Sequence, residues 1–238
     1  MADARSALPR AASRGGAVRD EDAGFIPLAS PWTRARRPHV GRMLPVTTAL
    51  IATSVAMFLL QSVAPGAFVG LALWPLGEGA GFGPWQLITY GFLHGSLLHL
   101  AFNMFALYMF GSAIERVFGG RRYLIYYLVC VVSAAITQLV FASVSGVVYP
   151  TVGASGGVFG LLLAYAKYFP NNRIMLLFPP IPMPARVFVA LYAVLELFLG
   201  VSGAEGGVAH FAHLGGLVGG FLLLHYWRGA GSRGRSMR

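Results

Sequence analysis

Six apolar segments, each close to the length of a membrane-spanning helix, limit what this chain can fold into. They are Leu44–Val63, about Leu97–Ile114, Tyr123–Val144, Val152–Phe169, Arg186–Ser202 and Val208–Trp227. A helix needs roughly 20 apolar residues to cross ~30 Å of hydrocarbon. The pattern therefore predicts an all-α polytopic membrane protein, built as a bundle of six transmembrane helices.

The composition excludes the other broad classes of protein. Hydrophobic residues make up 56% of the 238 residues and charged residues 11%, against about 25% charged in an ordinary soluble domain. Disordered chains have the opposite composition. Cys130 is the single cysteine, which excludes an internal disulfide framework.

The net charge of +10 is concentrated at the two ends of the chain. Residues 1–42 hold eight Arg and four acidic residues, and residues 228–238 hold four Arg and no acid. Basic ends around an apolar middle indicate contact with an anionic lipid bilayer, and no basic helix with interleaved aromatics points to nucleic acid. We predict a mobile basic cytoplasmic tail at 1–42, a six-helix domain at 43–228 and a basic cytoplasmic tail at 229–238.

The charges of the loops predict the orientation in the membrane. Two outer loops carry only Glu78 and Glu205. The remaining basic residues all fall in the alternate loops or beside them: Arg116, Arg121, Arg122, Lys167, Arg173 and Arg186. The positive-inside rule then places those loops and both termini in the cytoplasm, and the protein in the cell inner (plasma) membrane.

The fourth segment carries the sequence Gly153-Ala154-Ser155-Gly156-Gly157 near its outer end. One interpretation is a small-residue face on which helices approach closely. The string also matches the G-x-S-x-G elbow of soluble hydrolases, but a bundle of spans lacks the strand that this elbow requires. We expect Ser155 about three residues, roughly 5 Å, inside the start of its helix.

The sixth segment carries His213, followed by Gly216 and Gly220 four residues apart. Glycines at this spacing form a face that another helix can approach. We expect His213 roughly 8 Å below the outer start of its helix. If the glycines of segments four and six pack together, Ser155 and His213 meet at similar depth. A hydrogen-bonded packing role for His213 is the alternative.

The second segment carries His99 and Asn103 near its outer end. Residues at i and i+4 share one face of a helix, so both side chains can point at one anion. An interhelical hydrogen-bond pair is the alternative interpretation.

These groups together indicate an acyl-transfer site. Ser155 needs a base to take its proton, and His213 is the candidate with suitable chemistry. The oxyanion of acyl transfer needs fixed donors, which His99, Asn103 and the Ser155 backbone N–H can supply. We expect Glu196 in the lower or middle part of segment five and Glu205 in a loop, so the prediction is a Ser–His dyad without an orienting acid.

The combined motifs resemble those of bacterial rhomboid intramembrane serine proteases of the six-helix type. The resemblance covers about residues 44–227 and rests on Gly153–Gly156, on Ala212-His213 with its trailing glycines, and on the pair His99 and Asn103. Gly111 and Glu115 resemble a further pattern of the family.

The resemblance implies an endopeptidase that hydrolyses peptide bonds in or near transmembrane helices of other membrane proteins. Ser155 would be the nucleophile and His213 the general base and then acid. The oxyanion would be stabilised by His99, Asn103 and the backbone N–H of Ser155. The supporting residues are Gly153, Gly156, Phe159 and Gly216. No cofactor and no metal are implied, and the sequence predicts no particular oligomeric state.

Two positions depart from the family's pattern. Gln86 follows Trp85 where the family often has Arg, and Phe159 stands where it often has Tyr packed on the catalytic His. Two further histidines remain: His94, as a secondary polar contact in the cavity, and His210, one turn before His213 and expected to face similarly but nearer the surface.

Two other functions remain open at this stage. One is a non-catalytic rhomboid-like adaptor that binds transmembrane helices, which would not need Ser155 and His213 together. The other is a haem or metal protein that uses histidines as ligands, although no motif such as H-E-x-x-H is present. The four histidines concerned are His94, His99, His210 and His213.

The topology can be tested with reporter fusions placed after residue 42 and after residue 228. Both fusions should report a cytoplasmic location, because every basic loop lies on that side of the predicted six-span bundle. An outside signal from either fusion would contradict the six-span model with both termini in the cytoplasm.

Overall fold

The computed structural model describes residues 44–146, 148–175, 180–203 and 209–236, and the side chains up to residue 229. The α-helices in these ranges are α1 (Pro45–Val63), α2 (Gln86–Thr89), α3 (Leu97–Ala106), α4 (Ser112–Phe118), α5 (Gly120–Ser145), α6 (Ser155–Tyr168), α7 (Ala185–Ser202) and α8 (His210–Ser236). Short 3₁₀ helices lie at Pro65–Leu71 and Tyr90–Phe92, and a π-turn at Leu107–Gly111 joins α3 to α4. The predicted tail at 1–42 and Glu205 lie outside the described residues.

Four helical stretches among the described residues are long and apolar enough to cross a membrane. They are α1, the continuous stretch Leu97–Phe118, α5 and α7. Helix α6 has only 14 residues, and the last turns of α8 carry arginines. The protein is an all-α polytopic membrane protein, as predicted, while the count of six spans stays a prediction.

Several boundaries differ from those expected. Helix α6 begins at Ser155 rather than at Val152, because Gly153 has φ +133°, which a helix does not accommodate. Helix α8 continues past Trp227 to Ser236, so the predicted second tail is helical along most of its length. A two-stranded antiparallel hairpin, β1 (Arg173–Met175) with β2 (Pro182–Pro184), was not predicted.

Helices α5, α6 and α8 form the core of the bundle, and glycines set how closely they approach. A Cβ at Gly216 of α8 would overlap the backbone carbonyl of Gly156 in α6, and one at Gly160 would overlap the Cys130 sulfur of α5. A Cβ at Gly220 would overlap the Tyr126 hydroxyl. The predicted small-residue faces of segments four and six therefore do meet, with backbone packed against backbone.

Glu115 fixes the start of α1 against α4. Its carboxylate accepts hydrogen bonds from the backbone N–H of Val46 (3.1 Å) and of Thr47 (2.8 Å), and from the Thr47 hydroxyl (2.7 Å). The first N–H groups of a helix lack partners within the helix and carry partial positive charge. A buried carboxylate in an apolar bundle needs such donors. The contact therefore gives the first N–H groups of α1 an acceptor and gives the Glu115 carboxylate its donors.

The loop between α1 and α3 is folded around the buried side chain of Gln86. Its Oε1 accepts from the Trp74 backbone N–H (3.0 Å), and its Nε2 donates to the carbonyls of Gly81 (2.9 Å) and Gly70 (3.2 Å). The amide group thus makes three hydrogen bonds, which connect backbone groups of Gly70, Trp74 and Gly81 within the loop. Gln86 thus stabilises the folded loop through hydrogen bonds to its backbone. It stands at the position where the resembled family often has Arg.

The same loop is attached to the segment that leads into α6. Leu73 and Thr151 form an isolated antiparallel bridge, with N–H to carbonyl distances of 3.0 and 2.9 Å. The Gly153 N–H also donates to the Tyr90 carbonyl at 3.0 Å. These three backbone hydrogen bonds fix the residues just before Ser155.

Replacing Gly216 with Ala should destabilise the bundle, because the new methyl group would overlap the Gly156 carbonyl. Overpacking of this kind costs about 2 kcal/mol, so the thermal midpoint in detergent should fall clearly below that of the native chain. Gly66→Ala is the matched control, since a Cβ there meets nothing within 4 Å. Equal midpoints for the two variants would contradict the close α6–α8 contact.

Candidate active site

Ser155 is the first residue of α6, not three residues inside it as the sequence suggested. The chain reaches it through Gly153, whose φ of +133° is rarely adopted by residues with a side chain. A Cβ at Gly153 would also lie 2.7 Å from His99 Cε1. Glycine is thus required at position 153 for two reasons: the backbone angle of the turn and the lack of space for a Cβ beside the His99 ring.

His213 lies in the first turn of α8, nearer the helix start than predicted, and its ring reaches Ser155. The distance from His213 Nε2 to Ser155 Oγ is 2.8 Å. Phe159, one turn after Ser155, stacks on the imidazole with ring centroids 4.4 Å apart and planes 7° apart. Tyr192 of α7 stacks on Phe159 at 5.0 Å, so two aromatic rings support the imidazole.

His99 and Asn103 line the same cavity as Ser155. The Ser96 hydroxyl caps α3 by accepting from the His99 N–H at 3.1 Å. One hydrogen of the Asn103 amide is donated to the His99 carbonyl at 2.9 Å. Because an amide NH₂ has two donors, a second hydrogen is left for a group in the cavity.

Glu196 contacts His213, so the expectation that no acid is placed to orient this histidine is wrong. Its Oε2 lies 2.9 Å from His213 Nδ1 and 2.7 Å from His210 Nδ1. Glu196 lies six residues before Ser202, the end of α7, which corresponds to ~9 Å of helix rise. The 2.9 Å contact brings its carboxylate to the His213 ring, although Glu196 was expected in the lower or middle part of its segment.

His210 is buried against Glu196 and, as predicted, lies one turn nearer the outer end of its helix than His213. It is 4% exposed, and its ring centroid is 6.3 Å from that of His213. The imidazole hydrogen bonded to Ser155 is that of His213, not that of His210. The geometry therefore separates the two histidines, and only His213 is in position to act on the serine.

His94 packs behind His99 instead of serving as a polar contact in the cavity. It is 1% exposed, and its ring meets the His99 ring edge-on at 5.2 Å. Burial first, and the neighbouring His99 second, lower the pKa of His94 to about 4. His94 is therefore neutral at pH 7 and supports His99 by packing.

A cavity of about 540 Å³ opens in front of Ser155. Its walls come from the helices on either side, with Phe102, Phe105 and Ala106 from α3, and Phe188 and Tyr192 from α7. The polar groups of Ser155, His99, Asn103 and His213 all face it. A mostly apolar cavity with a few converging polar groups is the usual form of a binding or catalytic site.

Three of the described residues also offer ligand atoms that could hold a metal ion. The donor atoms of Glu196, His210 and His213 all lie within 4.8 Å of one another. In the structure the two Nδ1 atoms are hydrogen bonded to Glu196 Oε2 instead. The other two histidines of the haem or metal hypothesis, His94 and His99, do not belong to this group.

Sequence reasoning missed Glu196, although a signal was available. It is the one acidic residue in segment five, and ionisable residues inside a span are expensive unless they are paired. Measuring its distance from the outer end of the segment would have placed it level with His213.

Comparison with known proteins finds similarity to one protein family. A family model described as "Rhomboid domain" matches residues 82–229. The chain is 32% identical over 193 residues to "Putative rhomboid protease YdcA" of Bacillus subtilis (strain 168), which covers 76% of this chain and 88% of that protein. It is 28% identical over 191 residues to "Rhomboid protease GlpG" of Yersinia enterocolitica, covering 77% of this chain and 62% of that protein.

A further relative is much longer than the matched region. "Rhomboid protease GluP" of Bacillus subtilis (strain 168) is 35% identical over 138 residues, or 58% of this chain and 25% of that protein. The chain also matches 33% of the length of "RHOMBOID-like protein 4" of Arabidopsis thaliana. The match thus covers a quarter of the length of the first of these relatives and a third of the length of the second.

Proposed function

Since this chain belongs to the rhomboid family, we propose that it is an intramembrane serine endopeptidase. It hydrolyses peptide bonds in or near transmembrane helices of other membrane proteins. The observation that carries this proposal is the 2.8 Å contact between Ser155 Oγ and His213 Nε2. A hydroxyl within hydrogen-bond distance of an imidazole is the arrangement that activates serine as a nucleophile.

In the proposed reaction the serine oxygen attacks the scissile carbonyl while its proton passes to His213 Nε2. The C=O electron pair moves to the carbonyl oxygen. When the tetrahedral intermediate collapses, the C–N bond breaks and His213 returns the proton to the leaving amine. Water then attacks the acyl–enzyme ester by the same route, with His213 again accepting and returning a proton, and Ser155 is restored.

Three donors can stabilise the oxyanion. The Ser155 backbone N–H lies at the N-terminus of α6, where the partial positive charge of the helix favours an anion. His99 lies against Gly153 beside the serine, and Asn103 lines the cavity. Donors fixed before the reaction stabilise developing charge without reorganising.

The cavity suits a peptide segment that enters from the bilayer. Its aromatic and aliphatic walls come from α3 and α7, so a substrate span can be accommodated between these two helices. The peptide bonds of a helix are shielded by hydrogen bonding, so the scissile segment must unwind. Unwound backbone is tolerated at membrane depth only in protein or in a water-filled cavity.

The orientation also belongs to this proposal. We place both termini in the cytoplasm and the site near the outer face of the inner membrane. The basic residues support this, because Arg121 at the start of α5, Lys167 at the end of α6 and Arg186 at the start of α7 lie at helix ends opposite to that of Ser155. Basic residues concentrate on the cytoplasmic side.

Ser155→Ala and His213→Ala should each abolish cleavage of a transmembrane substrate in reconstituted vesicles. The double variant should be no worse than either single one, because each loss already disables the pair. A fluorophosphonate probe should label the native chain and not Ser155→Ala. His225→Ala is the matched control, since His225 lies on the exposed side of α8, and it should retain native activity.

The outcomes of these variants separate the proposed protease from its alternatives. Cleavage that persists in Ser155→Ala would contradict the assigned nucleophile. Substrate binding without cleavage or labelling in the native chain would favour a rhomboid-like adaptor. Activity lost in His210→Ala but kept in His213→Ala would show that the base is misassigned.

Asn103→Ala should reduce kcat roughly ten- to hundredfold and change KM little, because an oxyanion donor acts mainly in the transition state. Losing one such donor costs about 3 kcal/mol in soluble serine proteases, and His99 and the Ser155 N–H remain here. The probe should still label Ser155. If Asn103 serves packing alone, the melting temperature should fall while kcat per folded molecule is kept.

A further inference from the structure

Glu196 and His213 form a contact that a two-residue mechanism leaves unexplained. The carboxylate Oε2 is 2.9 Å from His213 Nδ1, and the opposite ring nitrogen, Nε2, is 2.8 Å from Ser155 Oγ. The three side chains come from α7, α8 and α6 and lie in series. We propose that Glu196 is a positioning residue that completes a Ser155–His213–Glu196 triad, an inference that rests on the proposed protease function.

The proposed role follows from the donors and acceptors present. An ionised carboxylate only accepts hydrogen bonds, so the His213 Nδ1 beside it must carry the proton. In a neutral imidazole the other nitrogen then has a free lone pair. Glu196 therefore selects the tautomer in which Nε2 can take the serine proton.

Glu196 also acts when His213 becomes positively charged. During attack the serine proton passes to Nε2, and the imidazolium then carries N–H groups at both nitrogens. Glu196 keeps its charge and accepts from Nδ1 throughout, so no proton moves onto the carboxylate. Opposite charges interact strongly where water is excluded, and the Glu196 side chain is 5% exposed.

His210 holds the carboxylate in this position. Its Nδ1 lies 2.7 Å from the same Oε2 atom, so that two imidazole N–H groups converge on one oxygen. A buried carboxylate is costly without donors, and these two histidines supply them. His210 does not contact Ser155 itself, so it supports the triad through Glu196.

A purely structural role for Glu196 predicts different behaviour. The Glu196–His210 contact also connects α7 to α8, so its loss could simply loosen the bundle. In that case activity would fall with the folded fraction, and the surviving folded molecules would react at the native rate. A positioning role instead slows the chemical step in molecules that remain folded.

The test uses Glu196→Gln in the full chain, reconstituted with a transmembrane substrate. We expect kcat to fall about ten- to hundredfold and KM to stay within about threefold. Soluble triads lose about 10⁴-fold on the equivalent change, and the effect is smaller here because Phe159 already orients the ring by stacking. The rate of fluorophosphonate labelling at Ser155 should fall by a similar factor.

Matched variants separate the carboxylate's role from general damage. Glu78→Gln makes the same chemical change at an exposed residue of the first loop and should leave both rates native. Glu196→Asp retains the charge on a shorter side chain and should recover part of the lost rate. Thermal midpoints are measured on the same preparations, and rates are expressed per folded molecule.

Two results would overturn the inference while leaving the protease function intact. One is Ser155-dependent cleavage at a native kcat per folded molecule in Glu196→Gln. The other is a folded Glu196→Asp variant no faster than Glu196→Gln, since the carboxylate would then not matter. A native chain without any Ser155-dependent cleavage would instead contradict the proposed function itself.

Discussion

The contact between the backbones of Gly156 and Gly216 sets the geometry on which the candidate site depends. Ser155 directly precedes Gly156, and His213 lies three residues before Gly216. The absence of side chains lets α6 and α8 approach until a Cβ at Gly216 would overlap the Gly156 carbonyl. A helix pair fixed at this point has one relative depth, and at that depth His213 Nε2 lies 2.8 Å from Ser155 Oγ.

The first loop contributes to the same geometry from the other side. Its backbone pairs with Thr151 and accepts from the Gly153 N–H, which holds the residues before α6 in an extended path. Gln86 stabilises the loop through three hydrogen bonds to its own backbone. The hydrogen bonds of this loop thus fix the residues that lead into Ser155.

The parts of the site that were predictable from sequence are those encoded by local patterns. Glycines at i and i+4 indicate close helix contacts, which is why the pairing of segments four and six, and of Ser155 with His213, could be expected. Phe159, which stands where the family often has a Tyr packed on the histidine, stacks on the His213 ring. Local patterns of this kind do not encode the partners of Glu196 and Gln86 or the first residue of α6. Their roles depend on which segments lie side by side, and the start of α6 depends on one backbone angle at Gly153.

The helices around the candidate site are not buried equally. Helix α5, which packs on α6 and α8, has many buried residues along its length, whereas α7 buries only Ala185, Val189 and Glu196 among its residues. Local opening is favoured where few apolar contacts are buried. The Ser155–His213 pair lies on α6 and α8, which are fixed by their glycines, whereas Glu196, Phe188 and Tyr192 lie on the less buried α7. Glu196 and part of the cavity wall are therefore held less tightly than the contact between Ser155 and His213. The same helix thus supplies one wall of the cavity and the carboxylate that contacts His213.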